Sequence, residues 1–210
     1  MFARERVSLL LAACGVAGAF TLAGCGTGSS GSIATAPAGH SQAAAGGGSS
    51  GAALPSWAPA LGAGVTVSAP RQPGPGHDSP AAAVQGEISA LAAKDFEALC
   101  AYQEPAVQAK CDSQAGQAAS LKDQLPYTVN PGLGYVAIDG TKALVGTTGK
   151  FCVPGQSPEC VTNTDPAAVF SSGKSFASMW TAAVAAGPTV YSPTPCAEIG
   201  GKWYIYSASQ

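Results

Sequence analysis

Cysteine is the side chain with the most chemical potential in this sequence. There are 7 Cys in 210 residues. Cys14 and Cys25 lie near the start, and Cys100, Cys111, Cys152, Cys160 and Cys196 lie in the second half. No pair is spaced Cys-x-x-Cys, so neither a thioredoxin-type redox centre nor a zinc ribbon is indicated. In an oxidising compartment these thiols pair. Cys100 and Cys111 lie on either side of the Glu104-Pro105 corner, where two antiparallel helices would bring them together. Cys152 and Cys160 flank the Pro154-Gly155-Gln156-Ser157-Pro158 loop. Each such short ring contributes about 3 kcal/mol in the chain-entropy picture. A rival arrangement joins Cys152 to Cys196 and leaves Cys160 free, and spacing alone does not choose. The expected odd thiol is Cys196.

The usual partners of nucleophilic chemistry are scarce. Only His40 and His77 are histidines, and both fall in a stretch rich in Gly, Ala, Ser and Pro. Arg4, Arg6 and Arg71 also precede residue 78. From Asp78 onward there are 7 Lys and 11 Asp or Glu, a charge of −4, with no His and no Arg. That removes the commonest general base, the commonest metal ligand and the bidentate anion clamp from this part of the chain. The carboxylates are scattered. Asp95 and Glu97 flank Phe96, Asp139 precedes a turn, and Glu87 with Leu91 and Lys94 reads as a solvated helix face. No catalytic, cofactor or metal residue is assigned. The net charge of −2 and the 10% of charged residues exclude an electrostatic footprint for nucleic acid.

Hydrophobic residues make up 46% and mean hydropathy is +0.17, but 42 of those residues are Ala. The apolar signal concentrates at the N-terminus. Arg4 and Arg6 precede an uncharged apolar run, Val7–Thr21, which ends at Leu22-Ala23-Gly24-Cys25. Positive, apolar, small is the order of an export signal, and the run is shorter than the roughly 20 residues that span a bilayer. The last four residues resemble the lipobox of bacterial lipoproteins. The resemblance implies a signal peptide at 1–24, cleaved before Cys25, with diacylglyceryl on the Cys25 thiol. The implied location is the outer face of the cell membrane, held by lipid. A competing Leu11-Ala12-Ala13-Cys14 leaves too few apolar residues ahead of it.

Between Gly26 and His77, 38 of 52 residues are Gly, Ala, Ser or Pro. Such a stretch has little apolar surface to offset the entropy of ordering it. Residues 25–77 are therefore expected to form a flexible, lipid-anchored linker. Its one apolar cluster, Leu54, Trp57 and Leu61, is expected to make only transient contacts.

An α+β domain is expected at 78–210. Ser79-Pro80 reads as a capped helix start. Val84, Ile88 and Leu91 continue at helical spacing, Lys94-Asp95 interrupts, and Glu104-Pro105 closes the segment. A second helix follows to about Leu121. Asp139-Gly140 predicts a hairpin between the strand around Tyr135 and a strand at 141–153. Phe176, Met179, Trp180, Ala183 and Val184 predict a third helix. A last hairpin turns about Gly200-Gly201, with Trp203 and Ile205 on one face and Tyr204 and Tyr206 on the other. The Ser-Pro entry, the Asp95-Phe96 break and the terminal Gly-Lys-Trp strand resemble the nuclear transport factor 2-like (cystatin-like) superfold. That likeness implies helices packed on a bent antiparallel sheet around a small cavity, with Tyr102, Tyr135 and Trp203 at its wall.

The resulting expectation is a non-catalytic envelope lipoprotein that binds an apolar small molecule or an envelope protein, without a cofactor. One alternative is an enzyme of the isomerase or polyketide-cyclase kind working with a lone Asp or Glu. Another is a structural protein of cell-wall or membrane-complex assembly.

Overall fold

The computed structural model describes residues 54–119, 128–152, 159–186 and 193–207. The expected signal peptide, Cys25 and the start of the expected linker lie outside the described residues. The described chain is an α+β fold built on one antiparallel, unclosed sheet of six strands. Its strands are β1 (Thr66–Ser68), β2 (Thr128–Asp139), β3 (Lys142–Cys152), β4 (Cys160–Asn163), β5 (Thr194–Ile199) and β6 (Lys202–Ile205). The order is β1-β2-β3-β5-β6, and β4 pairs with the far half of β3. The helices are α1 (Pro80–Ala93), α2 (Phe96–Cys100), α3 (Pro105–Ala119) and α4 (Phe176–Ala186).

Local chemistry sets the boundaries. The Ser79 hydroxyl accepts from the Ala82 amide at 3.1 Å, and Pro80 opens α1. Lys94 ends that helix in the left-handed region at φ 56°, and the Asp95 carboxylate then caps α2 by accepting from Ala98 N–H at 3.0 Å. Asp139 pairs with Lys142, so the β2–β3 turn is Gly140-Thr141, one residue later than the Asp-Gly signal suggests. Gly200 and Gly201, at φ 61° and 76°, form the β5–β6 turn at the expected place. The short β4 was not legible in the sequence; it exists because Cys160–Asn163 runs back along Gly149–Cys152.

Side chains alternate across the sheet and build two cores. One face carries Leu133, Val136, Ala143, Val145, Cys196, Trp203 and Ile205 against Ala83, Val84 and Ile88 of α1. The other carries Ala137 and Leu144 against Phe170, and against Phe176, Met179 and Ala183 of α4. The second face corrects the expected domain boundary. Residues 55–68 are not a loose tether: Leu61 is 3% exposed in that second core. The Trp57 ring stacks on Phe170 at 5.0 Å and meets Tyr135 edge-on at 5.2 Å. β1 pairs with β2 from Thr66↔Ile138 to Ser68↔Val136. A few large side chains at useful spacing overcame a composition that argued for disorder.

The disulfides join Cys100 to Cys111 and Cys152 to Cys160, and Cys196 is free and buried. Cys152 and Cys160 are a directly paired position of β3 and β4. The rival Cys152–Cys196 link is excluded by geometry. Cys196 faces Ala143, and Cys152 lies roughly 30 Å further along β3 at about 3.3 Å per residue.

Candidate functional site

Polar groups gather where α1, the corner Tyr102–Glu104 and strand β6 meet. β6 is the last strand of the sheet, so its outer edge would offer unpaired backbone groups. That edge is closed by two short pieces of chain. His77 accepts from Trp203 N–H through its carbonyl at 2.9 Å, and its Nδ1 lies 2.8 Å from the Trp203 carbonyl. Beside it, Tyr102 C=O accepts from Ile205 N–H at 2.8 Å, and Glu104 N–H donates to Ile205 C=O at 3.0 Å. The His77 ring is stacked on Tyr102 and tilted against Tyr204, with centroids 5.3 and 4.6 Å apart.

Two carboxyls flank this corner. Gln103 Nε2 donates to Glu87 Oε1 at 2.9 Å. Part of the Glu87 side chain still meets solvent, but its carboxyl lies deep in the protein. Burial raises it from an ordinary 4.5 to about 7, against the smaller opposing pull of the Gln103 hydrogen bond. Glu104 is 6% exposed and its Oε1 has no hydrogen-bond partner. Burial pushes this carboxyl up too, and the hydrogen bond from the Ser207 backbone only partly offsets it. Cys196, fully buried on the same sheet face, has its thiol pushed well up, first by burial and then by the Glu87 charge. A thiol held protonated in an apolar core is inert as a nucleophile. Among the described residues no three His, Cys, Asp or Glu side chains gather as a metal set.

These contacts revise three expectations. His77 belongs to the packed domain, so that domain is not devoid of histidine; Arg71 also lies among the described residues, on the surface. Glu87 is not on a solvated face; it follows Ala83 and Val84 by one helical turn and so shares their inward side. Tyr102, Tyr135 and Trp203 do not line one cavity. Trp203 and Tyr102 pack with the α1 core, whereas Tyr135 faces the other core beside Trp57. The cause is the period-2 alternation of β2 together with a register irregularity between Leu133 and Val136.

The corner is closely fitted to α1. A Cβ at Gly86 would overlap the Tyr102 ring. Gly86→Ala should therefore destabilise the fold by about 1–2 kcal/mol in chemical denaturation, although Ala is worth about 1 kcal/mol more than Gly in a helix interior. A gain in stability would show that Tyr102 yields freely.

The described helices include none long and apolar enough to cross a membrane. In comparisons with known families, curated proteins and solved structures, the chain finds no match.

Proposed function

We propose that this chain is a cell-envelope lipoprotein, anchored through Cys25, that carries a non-catalytic accessory domain outside the membrane. The carrying observation is the basic-apolar-small order ending at Leu22-Ala23-Gly24-Cys25. The Cys100–Cys111 and Cys152–Cys160 bonds support it, since such bonds persist where thiols are oxidised. A protein partner in the envelope is preferred over an apolar small molecule, because Tyr102, Tyr135 and Trp203 sit on two faces of the sheet. The helices-then-sheet order and the terminal Gly-Lys-Trp strand support a likeness to the nuclear transport factor 2-like superfold. The helix α4 on the second face departs from its simplest form. Cys25→Ala is expected to shift the chain from the membrane fraction to the soluble or secreted fraction. Unchanged membrane association would refute the anchor.

One observation favours a second reading, the lone-carboxylate enzyme. A carboxyl raised to about 7 is matched to general acid-base work near neutrality. Against it, Glu87 Oε1 is already engaged by Gln103, and the neighbouring Cys196 is buried.

A further inference from the structure

The closed edge of β6 leaves side chains, not backbone, as what that border of the sheet offers. His77, Tyr102 and Glu104 already pair the outward N–H and C=O groups of Trp203 and Ile205, so an extended peptide cannot add a strand there. Beside this edge, on the sheet face away from α1, aromatic rings reach the surface in a row. Trp180 of α4 stacks on Tyr206 with centroids 5.6 Å apart. Tyr204 stands two residues before Tyr206 on the same side, and His77 tilts against it at 4.6 Å. All four rings are partly exposed. We propose that this row is a stacking surface for an acidic cell-wall polysaccharide, with sugar rings laid against Trp180, Tyr204 and Tyr206 and anionic groups drawn to Lys142 and Lys202.

The strand register shapes the surface. Lys142, Ala197 and Tyr204 pair in turn across β3, β5 and β6, so they form one row. Ala197 is the short side chain between two long ones, a low point with about 10 Å between the flanking strands. Trp180 bounds it on the α4 side, with Lys142 Nζ 5.4 Å from its ring centre. The next row is Ile199 and Lys202, both exposed. A sugar ring has an apolar C–H face and a rim of hydroxyls. The row answers both, with aromatic surface and with polar tips: the tyrosine hydroxyls, the Trp180 indole N–H and one nitrogen of His77. A carbonyl only accepts, so His77 Nδ1 carries the proton toward Trp203 C=O, and in the neutral ring Nε2 is left as an acceptor. The charge flanking the row is positive. Neither Lys142 nor Lys202 has an ion-pair partner among the described residues. Glu198 pairs with Trp203 and so belongs to the opposite side, whereas Asp139 shares the side of Lys142 at the β2–β3 turn without an ion pair to it. Two unpaired ammonium groups on a domain whose charge from Asp78 onward is −4 select an anionic polymer over a neutral one.

The proposal rests on the envelope reading for its polymer, but its test does not depend on the anchor: membrane fractionation of Cys25→Ala reports on the anchor alone. The full, disulfide-bonded chain in mild detergent is sedimented with insoluble cell wall freed of lipid and digested with protease. Binding should saturate at low ionic strength and weaken with added salt. Tyr204→Ala together with Tyr206→Ala should weaken it by about tenfold. Lys142→Gln should weaken it by about threefold and flatten the salt dependence. The exposed Leu54→Ala variant should bind unchanged. Wall treated with hydrofluoric acid, which strips phosphodiester-linked polymers, separates phosphate-bearing from carboxylate-bearing sugar, and binding to either supports the proposal. Binding that the protease step abolishes marks a protein partner and overturns it. So does wall binding that the tyrosine and lysine variants leave intact, or no binding at all. If the tyrosine variant does not fold, NMR of the unmodified chain decides. Soluble acidic glycan fragments released from the wall should shift the Trp180 indole and the Tyr204 and Tyr206 ring signals, and shifts absent there overturn the proposal.

Discussion

Leu61→Ala is expected to destabilise the domain by about 2–5 kcal/mol in equilibrium denaturation. Leu61 lies in a segment whose composition suggests a spacer, yet it is 3% exposed in the core formed by Phe170, Leu144 and Phe176. Removing its methyl groups loses their transfer free energy and leaves a void that the β-sheet cannot collapse into. Trp57→Ala should add to the effect, because Trp57 stacks on Phe170 and meets Tyr135. Aromatic contacts of this kind are worth about 0.5–1.5 kcal/mol beyond the area they bury. Leu54 is the internal control. At 67% exposure, Leu54→Ala should change stability by no more than about 0.5 kcal/mol. Equal, negligible effects at Leu54 and Leu61 would mean that residues 55–68 do not belong to the folded unit.

Replacing Cys100 and Cys111 together by Ala is the second large change. The ring they close spans 11 residues in sequence. Its removal should cost about 3 kcal/mol, or roughly 6–12 °C in Tm for a domain of this size. The reason for a local as well as a global effect lies in how α3 is attached. Where its side chains are described, α3 is largely exposed; Ala115 is its buried apolar residue. It is fastened by the Cys100–Cys111 bond, by the Glu104 backbone, and by Gln108 Nε2 donating to the Ala101 and Gln103 carbonyls at 3.3 and 2.9 Å. Far-UV circular dichroism should show partial loss of helix at temperatures where near-UV bands from the sheet core persist. A single cooperative loss at an unchanged Tm would show that α3 is held by packing alone.

Much of the fold was legible because its signals are local. Ser79-Pro80, the Lys94-Asp95 break and Gly200-Gly201 each state their own backbone geometry, and the structure places them accordingly. The helix at Phe176 follows from a stripe with one period, and that stripe is its buried side. Short ring size favoured the Cys100–Cys111 and Cys152–Cys160 pairs, but the rival Cys152–Cys196 link fell only to the strand register. What stayed hidden was non-local. Trp57 and Leu61 look isolated in a polar, Gly-rich stretch, and only Phe170, more than 100 residues later, makes a core of them. Tyr135 looked like a cavity wall because the register irregularity after Leu133 could not be read in advance.

The polar corner shows the same limit at the candidate site. Glu87 with Lys94 has the look of a solvated helix face, yet the Ala83-Val84-Ile88 stripe already placed position 87 near the buried side. That hint was available. The role of His77 was not, since it depends on β6 being an edge strand that needs covering. A histidine at the end of a Pro-Gly run carries no such information by itself.

The central functional claim rests on Cys25 and is most directly tested by mass spectrometry of the N-terminal peptide from protein purified out of its own envelope. The account predicts a chain that begins at Cys25 and carries diacylglyceryl on its thiol, with Cys100–Cys111 and Cys152–Cys160 oxidised. A chain that retains residues 1–24, or one cleaved elsewhere with Cys25 unmodified, would contradict it.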